Sequence, residues 1–177
     1  MIFRIFLSLM ILVLSQAAFA DGDENYKLAS GDVLSISVYG EKDFSLDEIR
    51  LNDEGTLSYP YLGQVQARGK TTHEVEQLIA QELKDGQYLK DPSVSVRVTT
   101  YRDFYISGEV QKPGGYPYQP GLTLDRAIAL AGGLTERAST KRVTITRGKG
   151  ATVSPDQVKL DTPIKPGDTI TIEQGFF

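Results

Sequence analysis

Residues Tyr105 to Ala138 read YISGEVQKPGGYPYQPGLTLDRAIALAGGLTERA, and the fold is decided here. Tyr105, Ile106 and Ser107 alternate as a strand does, until Gly108 and the turn-forming run Lys112-Pro113-Gly114-Gly115 break the pattern. Tyr116-Pro117-Tyr118 resumes an extended path and Gly121 stops it. Thr123 then stands at the N-cap of a helix whose apolar residues Leu124, Ala127, Ile128 and Ala131 share one face. Gly132-Gly133 supplies the left-handed backbone that ends a helix, with Leu134 folding back as the apolar contact of that cap. The stretch predicts strand, turn, strand, capped helix and stop, and its glycines serve backbone geometry rather than ligand contact.

Upstream, Ser30-Gly31-Asp32 makes a turn before Val33 to Val38, where Leu34, Ile36 and Val38 alternate with Ser35 and Ser37 as a half-buried strand. Glu41 to Glu48 reads as a polar loop and Ile49 to Leu51 as a short strand. Asn52-Asp53-Glu54-Gly55 then turns the chain into Thr56 to Tyr59, a predicted hairpin. Thr71 and Glu74 form a capping box ahead of Val75, Leu78, Ile79 and Leu83, a second helical face. After the bend at Tyr88 to Pro92, Val94, Val96 and Val98 alternate as another strand.

Downstream come a strand at Val143 to Arg147, a turn at Gly148 to Gly150 and a turn at Lys165 to Asp168 before the last strand. The grammar repeats. Gly31-Asp32-Val33-Leu34-Ser35-Ile36 is echoed by Gly167-Asp168-Thr169-Ile170-Thr171-Ile172, and Gly69-Lys70-Thr71 by Gly121-Leu122-Thr123, each before a helix. Two related modules, each mostly β with one helix, make the fold class α+β.

Met1 to Ala20 carries Arg4, an apolar run from Ile5 to Leu14 and Ala18-Phe19-Ala20, the layout of a secretory signal peptide cleaved after Ala20. Cysteine is absent, so neither a disulfide nor a lipid-bearing cysteine is expected. Cleavage removes one of 19 basic residues, Arg4, leaving 18 against 23 acidic and a formal charge of −5. With no basic stripe, nucleic-acid binding is disfavoured.

Tyr26-Lys27-Leu28-Ala29-Ser30-Gly31-Asp32, the Gly55 to Gly69 segment with Pro60, Leu62 and Gly63, and Asp91-Pro92-Ser93-Val94 resemble the polysaccharide export domain of outer-membrane polysaccharide export proteins. Gly108-Glu109-Val110, Lys112-Pro113-Gly114 and Ala131-Gly132-Gly133-Leu134 are similar to the soluble-ligand-binding β-grasp domain that follows it in that family. The resemblance implies an export domain over residues 21–100, a β-grasp domain over 101–177, and a periplasmic part of the conduit that carries capsular polysaccharide or exopolysaccharide across the outer membrane. It implies a ring of identical subunits, an outer-membrane partner, either a barrel or a larger export protein, and a polysaccharide co-polymerase on the inner membrane. Family members with their own pore commonly add a lipidated cysteine, further β-grasp domains and a C-terminal amphipathic helix. None of these is expected here; the chain is expected to dock onto a membrane partner, with Gly175-Phe176-Phe177 closing a strand or making a docking contact.

Enzyme chemistry has little to stand on, and no cofactor or metal is expected. His73 is the single histidine and falls in the first turn of a helix, so neither a Cys/His pair nor a His-rich metal site can be assembled. Asp47 with Glu48, and Asp53 with Glu54, sit in polar stretches as solvated charges rather than a glycosidase pair. Tyr101, Arg102, Tyr105, Tyr116 and Tyr118 are the candidate contacts, since a tyrosine offers a sugar both a ring face and a hydroxyl. The same tyrosines suit a core or a subunit interface. Gly31, Asp32, Gly108, Pro113, Gly114, Gly132 and Gly133 are assigned to turns. A free periplasmic module binding a small ligand or glycan is the alternative reading.

Overall fold

The computed structural model describes residues 25–148 and 150–175; the expected signal segment, the expected start at Asp21, Lys149 of the Gly148–Gly150 turn and Phe176-Phe177 lie outside the described residues. Those residues form ten strands in three sheets with two helices, an α+β fold whose strands dominate.

In the first half, β1 (Val33–Val38) lies between β2 (Leu46–Arg50) and β5 (Val94–Thr100), antiparallel to both. β3 (Thr56–Tyr59) and β4 (Gly63–Gln66) form a separate hairpin. Helix α1 (Thr72–Asp85) starts at the anticipated capping box: the Glu74 amide donates to Thr71 Oγ1 at 3.1 Å and the Thr71 amide to Glu74 Oε2 at 2.6 Å. Val75, Ile79 and Leu83 on its inner face meet Leu34, Ile36, Leu57, Val65 and Val96 in one core.

The predicted hairpin across Asn52–Gly55 is corrected by the structure. Asn52 Oδ1 accepts the amides of Glu54 (3.1 Å) and Thr56 (2.9 Å), so a side chain builds that turn. It carries the chain from one sheet into another, and β3 pairs across Tyr59–Gly63 instead, setting Leu57 opposite Val65, both buried. β2 also begins at Leu46 rather than Ile49. The Ser45 hydroxyl accepts the Val38 amide at 2.9 Å and leads the polar loop into pairing with β1.

In the second half the sheet order is β7 (Gly114–Tyr116), β6 (Phe104–Gly108), β10 (Thr169–Gln174), β8 (Ala138–Arg147), β9 (Ala151–Val153). The central pair β6 and β10 is parallel and the others antiparallel, with helix α2 (Leu124–Leu130) packed against the sheet in a β-grasp-like arrangement. Leu124, Ala127, Ile128 and Ala131 are all buried, as their spacing requires. Thr123 holds the cap position, yet its hydroxyl binds the Asp125 carboxylate; the first helical amides go to the Thr162 and Leu160 carbonyls at 3.0 and 2.9 Å. At the other end Gly132 and Gly133 have φ of 82° and 91°, and their amides return to Ala129 and Ile128. Leu134 folds back to bridge Val110. Gly108 (φ 85°) lies against β10 so closely that a Cβ would overlap the Ile172 carbonyl. β8 starts five residues before Val143 and β9 is a further strand; neither added segment buries a residue that would mark an alternating face in the sequence.

Candidate functional site at the junction of the two halves

The two echoed turns are built from the same contacts. Gly31 and Gly167 adopt φ of 91° and 79°, and each following aspartate is buried. The Asp32 amide returns to the Ala29 carbonyl (3.2 Å) while Asp32 Oδ2 accepts the Ala29 amide (2.9 Å). Asp168 does the same with Lys165, at 3.1 and 2.9 Å. An arginine faces each carboxylate: Arg102 at 3.5 Å from Asp32, Arg147 at 3.3 Å from Asp168. Burial pushes the Asp168 carboxyl above its usual range, against the opposing pull of the Lys165 amide and Arg147. Asp32 takes two further donors, the Tyr26 hydroxyl at 2.7 Å and the Arg102 backbone amide at 3.0 Å. Burial first, and then the bond to Asp32, hold the Tyr26 phenol well above its ordinary value.

Arg102 is where the two turns meet. Its Nη1 donates to the Tyr26 hydroxyl at 2.8 Å and its guanidinium lies 5.9 Å from the Tyr26 ring centroid. A Cβ on Gly167 would overlap Arg102 Nε, and one on Gly31 would sit 3.7 Å from Arg102 Cβ. The Tyr101 ring stands edge-on to Tyr26 (5.1 Å, 77°) and to Tyr118 (5.4 Å, 76°), so a chain of rings runs from the first core to the second. Tyr116 stacks on Phe104 at 5.9 Å and donates to the Lys112 carbonyl at 2.6 Å. Of the five candidate contacts, Tyr101, Arg102 and Tyr118 come together at the junction, Tyr116 packs on the core, and Tyr105, 54% exposed beside Gly115, turns its ring to solvent.

A second aromatic group escaped the sequence reading. Phe44, Tyr61 and Tyr88 form a row with centroid spacings of 4.9 and 5.4 Å and tilts of 34° and 38°. Tyr61 sits at the tip of the β3–β4 hairpin with φ 65°, and Gln87, beside Tyr88, has φ 59°. A Cβ on Gly86 would overlap the Tyr88 ring. Beneath the row the Tyr59 hydroxyl, its pKa pushed up to about 12 by burial, donates to the Phe44 carbonyl. The signal was present: an aromatic after Pro60 at a turn tip, where Gly, Asn or Asp is the usual occupant.

The polysaccharide biosynthesis/export protein family matches residues 20–99, and an SLBB domain matches residues 104–156. The chain belongs to the polysaccharide biosynthesis/export protein family. Arg102 therefore lies in the short link between the two matches. The exopolysaccharide production protein ExoF of Rhizobium meliloti is 40% identical over 71% of this chain and 32% of its own length. The EPS I polysaccharide export outer membrane protein EpsA of Ralstonia nicotianae is 29% identical over 84% of this chain and 47% of its own. The polysialic acid transport protein KpsD of Escherichia coli is 31% identical over 51% of this chain and 14% of its own. The chain thus spans from about a seventh to about half the length of these relatives.

This family is one of export proteins rather than enzymes. His73 lies on the exposed face of α1, its ring nitrogens 3.1 Å from Glu76 and 2.9 Å from Gln77, and Asp47, Glu48, Asp53 and Glu54 are exposed. Among the described residues no group of three or more His, Cys, Asp or Glu is placed to hold a metal, and no helix is long and apolar enough to cross a membrane.

Proposed function

We propose that this protein is a periplasmic component of a capsular polysaccharide or exopolysaccharide export apparatus, forming part of the conduit across the outer membrane. Its export domain covers residues 21–100 and its β-grasp domain 101–177. Identical subunits assemble as a ring, which associates with the outer membrane through a barrel or a larger export protein and faces a co-polymerase on the inner membrane. The observation that carries this reading is the tandem of the two family matches over one chain, with the halves braced through the link between them. Tyr105 is the candidate contact open to polymer or to a neighbouring subunit.

Deletion of the gene tests the reading: extracellular polysaccharide disappears, polymer accumulates inside the cell, and the wild-type gene restores export. Unchanged extracellular polymer in the deletion strain contradicts it. Solution mass adds a second check, since a ring gives a large, concentration-dependent oligomer. A monomer at every concentration favours the free binding module.

A further inference from the structure

Tyr61 holds a left-handed backbone that disfavours any residue but glycine, asparagine or aspartate, yet the residue is 61% exposed and gains little from burial. Strain kept at an exposed aromatic points to display rather than packing. Tyr88, 45% exposed, joins the same row, reached through a second left-handed residue, Gln87, and given room by Gly86. The two elements hold each other: the Tyr88 hydroxyl lies 3.4 Å from the Tyr61 carbonyl, and Phe44 supports Tyr61 from the other side. The rings are therefore oriented before any ligand arrives, which lowers the ordering cost of binding.

We propose that Phe44, Tyr61 and Tyr88 form a saccharide-stacking platform for pyranose units of the exported polymer, an inference that rests on the export function above. The chemistry selects this ligand. A pyranose with equatorial hydroxyls presents axial C–H groups on its face, which pack on an aromatic ring, and hydroxyls at its rim, which bond to phenol groups. The three rings of the row offer faces and hydroxyls rather than charge, and Tyr61 presents its ring from a hairpin tip. Weak, repeated contact also suits passage, because a conduit must bind its cargo well enough to admit it and loosely enough to release it.

The test titrates purified protein, labelled with ¹³C in the tyrosine rings, with cellohexaose and separately with an α2,8-linked sialic acid hexamer. Saturable shifts of the Tyr61 and Tyr88 ring signals are expected with at least one of them. Tyr61→Asn, which tolerates the left-handed turn, weakens binding roughly tenfold, and Tyr61→Phe keeps most of it. Should Tyr61→Asn fail to fold, Tyr88→Leu carries the same expectation with the hairpin tip unchanged. No saturable shift with either oligosaccharide, or full affinity in folded Tyr61→Asn or Tyr88→Leu, overturns the platform. Loss of export on gene deletion together with absent oligosaccharide binding removes the platform and leaves the export reading standing; binding at Tyr61 with normal export after deletion does the reverse.

Discussion

The Gly31-Asp32 turn and the Gly167-Asp168 turn share a left-handed glycine, a buried aspartate that caps its own turn, and a facing arginine, but they do different jobs. Asp168 is answered by Arg147 on β8, within its own sheet, and serves strand entry. Asp32 is answered by the backbone and side chain of Arg102, which also presses against Gly167. The same local motif thus starts a strand in one half and ties the two halves together in the other. What differs is which part of the chain supplies the donors.

The largest effect is expected where the second half has no slack. Gly108→Val meets the Ile172 carbonyl in a left-handed backbone and should cost about 3 kcal/mol or more, the sum of strain and overpacking. Hydrogen exchange should show β6 and β10 losing protection before β1 does; equal protection across both halves would break the division drawn here.

Next come the two aspartates. Asp32→Ala strands the Ala29 and Arg102 amides and the Tyr26 hydroxyl, and should cost about 3 kcal/mol, whereas Asp168→Ala should cost about 2. Urea midpoints measure both, and the reverse order would contradict the greater role given to Asp32.

The pH dependence of Asp168 is smaller and has a definite sign. Its carboxyl is raised by burial, so its contribution to stability is fully present below the unfolded carboxylate range, near pH 4, and is lost as pH rises through the raised folded value. Unfolding free energies of wild type and Asp168→Asn should therefore diverge across that window, with wild type losing ground as pH rises. A difference independent of pH contradicts the assignment.

Gly133→Val should have the least effect of the structural changes. It has open space for a side chain but φ of 91°, so backbone strain of about 1–2 kcal/mol is its whole cost. Arg137→Ala, at the surface, should stay within about 0.5 kcal/mol of wild type by thermal unfolding. Equal stability of Gly133→Val and wild type would show that this glycine does not end α2.

Features made by neighbours in sequence were legible. The faces of both helices, the Thr71–Glu74 box, the Gly132-Gly133 stop and the two Gly-Asp turns each follow from residues a few positions apart. The start of β2, the start of β8 and the whole of β4 and β9 were not, because edge segments with little burial need no alternation. The junction was half legible. Tyr101, Arg102 and Tyr118 were picked out as ring and charge, but their roles depend on Tyr26 and Asp32, the latter 70 residues from Arg102, and no spacing rule reaches that far. The Phe44–Tyr61–Tyr88 row joins three separate elements and was hidden for the same reason.

The joining role of Asp32 and Arg102 is tested most directly by a double-mutant cycle of Asp32→Asn and Arg102→Met on unfolding free energy. The two changes should couple by about 1 kcal/mol or more, since each removes a partner the other needs. Additivity within about 0.3–0.5 kcal/mol would mean that the Arg102 side chain merely lies beside the turn and adds nothing to the bond its backbone amide makes with Asp32.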